Sequence, residues 1–218
     1  MSVPPDPPAD CPLCPRLVAF RDEWRARKPR WFNGAVPTFG GLEARLLIVG
    51  LAPGLRGANR TGRPFTGDYA GELLYPTLVR TGFADGKFEA RVDDSLRLVD
   101  AAVSNAVRCV PPENKPTPQE IKTCRRFLAA TIAAMPRLAA ILALGKIAHD
   151  SVLDALGMAR GRHPFAHGAV HRKDGGPVVF DSYHCSRLNT NTGRLTRDMF
   201  EAVFAAVAAH LAKPDWMS

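Results

Sequence analysis

Four short apolar runs, separated by stretches with helical periodicity, constrain the fold more than any other feature of the sequence. The first, residues 44–52 (ARLLIVGLA), is almost continuously apolar, a pattern typical of a strand buried on both faces. Three more such runs lie at residues 101–109, 138–145 and 177–184. Helical stretches alternate with them, at residues 71–81, 117–135, 146–156 and 195–211. The alternation predicts an α/β fold with a parallel sheet covered by helices on both faces.

The helix predicted to begin at residue 118 has the clearest boundary. In TPQE, Thr117 can cap the helix, Pro118 suits the first helical position and Glu120 completes a capping box. A further helix is predicted at residues 12–28, where apolar residues recur at helical spacing. Ligands bind such folds at the carboxyl ends of the strands, so the loops that follow the predicted strands are the places to look for a site.

The length of 218 residues favours one compact domain. We predict a flexible tail over residues 1–10 (MSVPPDPPAD) and a single domain over residues 11–218. The start of the chain lacks the basic and apolar parts of a signal peptide, and no apolar run approaches the roughly 20 residues of a membrane-spanning helix. We therefore expect a cytoplasmic protein with no membrane partner, and we expect it to be a monomer.

The charge balance favours a polyanionic partner. Lysine and arginine number 29 against 21 acids, which gives a net charge of +8. Arginine dominates this excess, and its forked guanidinium suits phosphate better than the point charge of lysine does. Nucleic acid is thus a candidate partner, although charge alone does not decide between it and other anions.

The cysteines indicate a metal or cluster site. Five are present, at positions 11, 14, 109, 124 and 185, and the first two form a CxxC motif. In a reducing compartment a disulfide framework is not expected, so Cys11, Cys14, Cys109 and Cys124 are candidate ligands. Four thiolates suit zinc and a [4Fe-4S] cluster about equally, and unliganded buried cysteines are the alternative. Cys185 stands apart and is not expected to be a ligand.

The loop after the first predicted strand, VGLAPGLRGANRTGRPFTGD, matches neither a dinucleotide-binding nor a phosphate-binding glycine motif. Gly50 and Gly54 would let the backbone approach a ligand closely. Phe65 offers a flat apolar face and Asp68 a carboxylate, although an isolated phenylalanine is more often a core residue. We therefore expect this loop to hold a ligand that is not a nucleotide cofactor.

The end of the last predicted strand runs into a polar segment, YHCSRLNTNTGRL. His184 could donate a proton or a hydrogen bond there, with a structural role as the alternative, and the residues after it are compatible with phosphate. Upstream, His163, His167 and His171 recur at intervals of four, but Pro164 argues against a helix that would align them. We expect that segment to be a solvated basic loop.

Five motifs in order resemble those of the iron-sulfur uracil-DNA glycosylases, specifically the B-type or family 5 enzymes. They are CPLCPRL, GLAPG, NRTGRPFTGD, SNAVRCVPPENKPTPQEI and HCSRLNTNTGRLT, and together they span most of the chain. The resemblance implies a three-layer α/β/α fold with a four-stranded parallel sheet and a [4Fe-4S] cluster on the four cysteines. It also implies hydrolysis of the N-glycosidic bond of uracil in DNA, and of bases such as hypoxanthine, ethenocytosine and hydroxymethyluracil, which leaves an abasic site. Such enzymes must extrude the target nucleotide from the duplex.

The resemblance also implies roles for individual residues. Phe65 would stack on the flipped base, Asn105 would read its Watson-Crick edge, and His184 would donate to the base O2. Leu188 would fill the vacated stack as an apolar wedge. The remaining contacts to the base, to phosphates or to neighbouring bases fall on Gly50, Ala52, Gly54, Ser186 and Asn189.

Two departures from the related motifs affect the mechanism. Leu51 occupies the position where the A-type enzymes have glutamate in G-E-A-P-G, which leaves Asp68 as the candidate to activate water or to stabilise the sugar cation. Cys185 stands where many relatives have proline. The rival interpretation of the chain is a non-catalytic nucleic-acid-binding module held together by a metal.

Overall fold

The computed structural model describes residues 3–212 and contains one central sheet between two layers of helices. Eight strands are present in the described range: β1 Phe39–Gly40, β2 Leu46–Gly50, β3 Ala84–Asp85, β4 Arg97–Leu98, β5 Ala101–Asn105, β6 Ala140–Leu144, β7 Val170–His171 and β8 Val178–Ser182. Seven α-helices accompany them: α1 Pro15–Arg27, α2 Ala58–Thr61, α3 Tyr69–Arg80, α4 Pro118–Ala133, α5 Lys146–Leu156, α6 Arg187–Asn191 and α7 Arg197–Leu211.

The main sheet has six strands in the order β1-β5-β2-β6-β8-β7. Its four central strands are parallel, with Gly50 of β2 opposite Asn105 of β5. The predicted four-stranded parallel sheet is therefore correct for the centre but incomplete. Two edge strands, β1 and β7, pair antiparallel to it. Each has only two residues, too few for a periodic pattern to reveal it.

The four parallel strands are buried along their whole length, which explains their almost continuous apolar sequence. One face packs against α3 and α7 through side chains such as Leu74 and Phe204. The other packs against α4 and α5 through side chains such as Leu128 and Val152. The sheet thus lies between two helical layers, as the α/β/α expectation requires.

The predicted helices are present with boundaries shifted by a few residues. The capping box of α4 is confirmed: the Thr117 hydroxyl accepts from the Glu120 backbone N–H at 3.2 Å, and the Glu120 carboxylate accepts from the Thr117 N–H at 2.7 Å. No helix within residues 3–212 is both long and apolar enough to cross a membrane.

Two segments make more contacts than their sequence suggests. In the predicted tail, Asp6 pairs with Arg108 at 2.6 Å, and the Pro5 carbonyl accepts from the Thr131 hydroxyl at 2.9 Å. In the histidine-rich segment, the expectation of a solvated loop is wrong for His171. This residue is buried in β7 and contacts Asp181 of β8 at 2.9 Å, because a buried imidazole needs a hydrogen-bond partner.

Candidate active site

A cavity of about 590 Å³ opens at the carboxyl ends of the parallel strands. Its walls come from the loops after β2, β5, β6 and β8, as expected for an open parallel sheet. Of the residues predicted from the sequence, those that line it are Ala52, Gly54, Phe65, Asp68, Asn105, His184, Ser186, Leu188 and Asn189. Side chains more than a hundred residues apart in the chain therefore share one cavity.

Phe65 and His184 face each other across one end of this cavity. Their ring centroids are 6.0 Å apart and their planes are inclined by 28°. Phe65 is 6 % exposed and belongs to the core on the α3 and α7 side of the sheet, so it is both a core residue and a wall of the cavity. Its φ of +52° is unusual for a residue with a side chain. The Phe65 ring thus provides a flat apolar surface, and the polar ring of His184 lies beside it.

Gly50 allows Phe65 and Asn105 to come together. A Cβ at position 50 would lie 2.4 Å from Phe65 Cζ and 2.5 Å from Asn105 Oδ1, which is too close for any larger residue. Asn105 is almost fully buried and lines the cavity. Its side-chain amide can donate to and accept from a ligand at once.

Asp68 lies at the start of α3, where its carboxylate accepts from the Gly71 backbone N–H at 3.4 Å. It packs so tightly against the preceding loop that a Cβ at Gly57 would be 2.3 Å from Asp68 Oδ2. Burial raises the pKa of Asp68, while hydrogen bonds from the backbone of Gly71 and Ala70 act in the opposite direction. The residue is thus a helix cap whose carboxylate also reaches the cavity.

His184 is held as a neutral imidazole. Burial lowers its pKa to about 4, because the enclosed site disfavours the charged form. Asn189 donates from Nδ2 to the His184 carbonyl at 2.8 Å and fixes the backbone behind the ring. Near neutral pH one ring nitrogen can therefore donate a hydrogen bond while the ring carries no charge.

The short helix α6 forms the rim of the cavity after His184. Ser186 caps it by accepting from the Asn189 N–H at 3.4 Å, so Ser186 has a structural role in addition to any contact with a ligand. Leu188 is 72 % exposed, an unusual position for a large apolar side chain beside a cavity. The Arg187 guanidinium lies 5.1 Å above the ring of Tyr69 and joins α6 to α3.

Asn114, Tyr69 and Lys146 also line the cavity, although they were not among the predicted site residues. Asn114 follows Glu113, and both have φ near +55°, in the segment PPEN. A run of prolines before an asparagine signals a turn, since asparagine tolerates the left-handed conformation better than most residues. That signal predicts a turn but does not indicate that the turn faces the cavity.

The four candidate cysteine ligands lie together, packed against Leu17 of α1 and Phe127 of α4. Cys11, Cys14, Cys109 and Cys124 line one small apolar pocket, and the Arg108 backbone N–H donates to Cys124 Sγ at 3.3 Å. Burial raises the pKa of Cys109 to about 12. Cys185 is fully buried in the core on the other face of the sheet, separate from the four as predicted.

A buried hydrogen-bond network of Asp181, His149 and His171 connects α5, β7 and β8. Asp181 contacts the His149 ring at 2.8 Å and the His171 ring at 2.9 Å, and the other nitrogen of His149 lies 2.9 Å from the His163 carbonyl. A carboxylate only accepts hydrogen bonds, so both imidazoles donate to it. This network explains why three ligand-type residues meet in a buried place.

Comparison with known proteins first gives the class. The family described as the Uracil DNA glycosylase superfamily matches residues 37–208, a range that contains the whole sheet and every cavity residue named above. A "Type-5 uracil-DNA glycosylase" of Thermus thermophilus is 49% identical over 196 residues, which cover 87% of this chain and 89% of the relative. One of Pyrobaculum aerophilum is 38% identical over 204 residues, covering 92% and 88%. A "Type-4 uracil-DNA glycosylase" of Archaeoglobus fulgidus is 35% identical over 120 residues, covering 55% and 52%.

The chain therefore belongs to the uracil-DNA glycosylase superfamily and, within it, to the type-5 family.

Proposed function

We propose that the protein is a DNA glycosylase that hydrolyses the N-glycosidic bond of uracil in DNA and leaves an abasic site. The observation that carries the proposal is the meeting of Phe65, Asn105 and His184 around one cavity. The type-5 relatives, whose names state this activity, support it. The net charge of +8 suits a DNA partner. We also propose that the protein acts as a monomer.

The cavity would receive a base rotated out of the duplex, because the glycosidic bond is inaccessible within the stack. The Phe65 ring would stack on the base, and the amide of Asn105 would contact its Watson-Crick edge. Gly50 supports this arrangement, since any side chain there would push ring and amide apart. The backbone around Ala52 and Gly54 would complete the wall around the base.

His184 would promote cleavage by donating a hydrogen bond to the base O2. Negative charge gathers on the base as the bond to N1 breaks, so a donor aimed there stabilises the transition state more than the bound substrate. A neutral imidazole with one N–H suits this role, and the lowered pKa of His184 keeps it neutral. Asp68 lines the cavity at the start of α3. Its carboxylate would stabilise the sugar cation or orient the attacking water.

The range of bases is proposed to extend beyond uracil, to hypoxanthine, ethenocytosine and hydroxymethyluracil. The cavity is mostly apolar in its lining and larger than one pyrimidine ring. A pocket with few fixed polar groups discriminates weakly, because little is left unpaired by a different base.

The test is release of free uracil from a uracil-containing oligonucleotide by the purified protein. An abasic product that alkali cleaves is expected. A panel with the other deaminated and damaged bases, run against the same sequence with thymine, would define the substrate range. A protein that binds these duplexes but releases no base would support the rival, a non-catalytic nucleic-acid-binding module, which the comparisons do not favour.

We further propose a [4Fe-4S] cluster on Cys11, Cys14, Cys109 and Cys124. Sulfurs bound to one tetrahedral zinc ion, at about 2.3 Å from it, would lie about 3.8 Å apart. Among the described residues, no three cysteine sulfurs lie within 4.8 Å of one another. The wider spacing suits a cluster, in which each thiolate binds a different iron atom.

Two buried arginines beside the cysteines support a negatively charged group there. Arg21 donates to the Cys11 carbonyl at 3.1 Å, and its nearest carboxylate, Asp22, is 3.8 Å away and largely exposed. The Nε atoms of Arg21 and Arg108 are buried without a hydrogen-bond partner among the described residues, although Arg108 pairs with Asp6 through Nη1. Within residues 3–212, Arg21 has no carboxylate this close. A buried cation is costly unless an anion compensates it, and a cluster with four thiolates carries net negative charge. When bound, it would cross-link α1, α4 and the segment after β5.

Purified wild-type protein is expected to be brown and to contain about four iron atoms per chain, the content of one [4Fe-4S] cluster. Cys109→Ser should lose most of the iron and unfold at a lower temperature, because one thiolate ligand and its cross-link are gone. Cys185→Ser is the matched control, since it changes a buried cysteine on the other face of the sheet. Full iron content in Cys109→Ser would contradict the assignment.

Leu188→Ala is expected to lower kcat/KM on duplex DNA by about tenfold, because the wedge offsets part of the few kcal/mol needed to unstack a base. Single-stranded uracil DNA, which needs no unstacking from a partner strand, should be affected much less. Val99→Ala, a truncation of another exposed apolar side chain, serves as control. An equal loss on both substrates would show that Leu188 does not act on the duplex.

A further inference from the structure

A buried arginine anchors the loop that carries Phe65 and Asp68. The Arg63 side chain is 7 % exposed and binds the carboxylate of Asp94 through both terminal nitrogens, at 2.8 and 2.7 Å. Its Nε donates to the Thr66 hydroxyl at 2.7 Å. One side chain thus joins residues 63 and 66 to a segment 31 residues further along the chain.

Three aromatic rings surround this guanidinium. Its Cζ lies 5.2 Å from the Phe39 ring centroid, 5.6 Å from that of Tyr75 and 5.8 Å from that of Phe88. A cation enclosed by ring faces and paired with a carboxylate has little freedom to move. The anchor therefore connects the loop after α2 to β1, α3 and the segment between β3 and β4.

Asp94 is itself held in place. Its side chain is fully buried, and it accepts from the backbone N–H groups of Glu89 at 3.0 Å and Leu96 at 3.2 Å. Hydrogen bonding to Arg63 lowers the pKa of Asp94 to about 2, so the carboxylate remains ionised. Loss of this charge would leave a buried guanidinium without its partner.

Phe65 lies between the anchored residues in a strained conformation. Its φ is +52°, and the carbonyl of the preceding Pro64 accepts from the Tyr75 hydroxyl at 2.5 Å. On the other side, a Cβ at Gly71 would lie 1.8 Å from the Phe65 carbonyl oxygen, so α3 presses directly on its backbone. A residue in this conformation persists only where its surroundings impose it.

We propose that Arg63 is a positioning residue, which with Asp94 holds residues 64–66 in the conformation that places the Phe65 ring opposite His184. The inference rests on the proposed function, because the ring is positioned to stack on a base. Neither residue touches the cavity, so both act through Phe65. Stacking requires a ring at one distance and angle, and a displacement of about 1 Å can cost roughly 100-fold in rate.

The test is a double-mutant cycle with Asp94→Asn and Phe65→Ala, measured as single-turnover release of uracil. In the wild-type background, Asp94→Asn is expected to lower the rate about 10- to 100-fold. In the Phe65→Ala background it should have no further effect beyond about twofold, the usual error of additivity. Asp100→Asn is the matched control, since it breaks the 2.6 Å pair with Arg45 at the amino ends of the strands.

The outcomes separate the possible explanations. An equal loss in both backgrounds would overturn the inference, because a general loss of folded structure does not depend on Phe65. If Asp94→Asn does not fold, Arg63→Lys, which keeps the positive charge but loses the two-nitrogen contact with Asp94, is taken through the same cycle with the same expectation. A wild type that releases no uracil would overturn the proposed function itself, whereas an active wild type with additive losses would overturn only the role of Arg63.

Discussion

Replacing His184 with alanine is expected to slow uracil release about 100- to 1,000-fold, the cost of removing one donor aimed at developing negative charge. Binding of uracil DNA should survive, because Phe65, Asn105 and the net positive charge of the protein remain. The measurement is single-turnover release together with a binding titration. His210→Ala is the control, since His210 lies on α7 and contacts the Ala139 carbonyl before β6, at the opposite edge of the sheet. A rate equal to that of the wild type would remove His184 from the mechanism.

The pH dependence provides a second test of the same residue. Burial lowers the pKa of His184 from 6.5 to about 4, so its neutral form persists well below neutrality and the rate should show no transition near pH 6.5. Between these two values the unfolded chain binds more protons at this position than the folded chain. The folded state therefore loses stability as the pH falls from 6.5 towards 4, and this contribution should be absent in His184→Ala.

Asp68→Asn is expected to lower the rate about 100-fold, on the scale of other electrostatic contributions to a transition state. Asparagine caps a helix about as well as aspartate does, so the temperature of unfolding should hardly change. The substitution thus separates the charge of Asp68 from its role at the start of α3. Thr196→Asn, which changes the cap of α7, is the matched control. A rate unaffected by Asp68→Asn would mean that Asp68 serves only as a cap.

The ionised form of Asp68 is the one proposed to act on the cation or on water. Burial raises its pKa above 3.8, so the rate should fall as the pH falls through a value higher than that of an ordinary aspartate. Asp68→Asn should abolish this acid limb of the profile. A limb that persists in the variant would assign it to another group.

Much of the framework followed from local patterns. The four parallel strands and the cap of α4 were predicted because burial on both faces and a capping box leave short, local signatures. Cys185 was also predicted to stand apart from the other four cysteines, and it lies in a different hydrophobic cluster. The edge strands and the buried position of His171 were missed, because both depend on which neighbour the chain meets in space.

The same distinction between local and tertiary information applies to the cavity residues and to the residues that position them. Phe65, Asn105 and His184 were selected through ordered motifs and the rule that parallel strands end at one edge, and the structure brings them to one cavity. Arg63 and Asn114 lie within the same motifs, but nothing in these motifs indicates that Arg63 pairs with Asp94 or that Asn114 reaches the cavity. Periodicity and motifs record what a residue requires of its own segment, namely burial, a cap or a turn. Which distant segment supplies a buried arginine with its carboxylate depends on packing of the whole chain, so tertiary structure alone decides it.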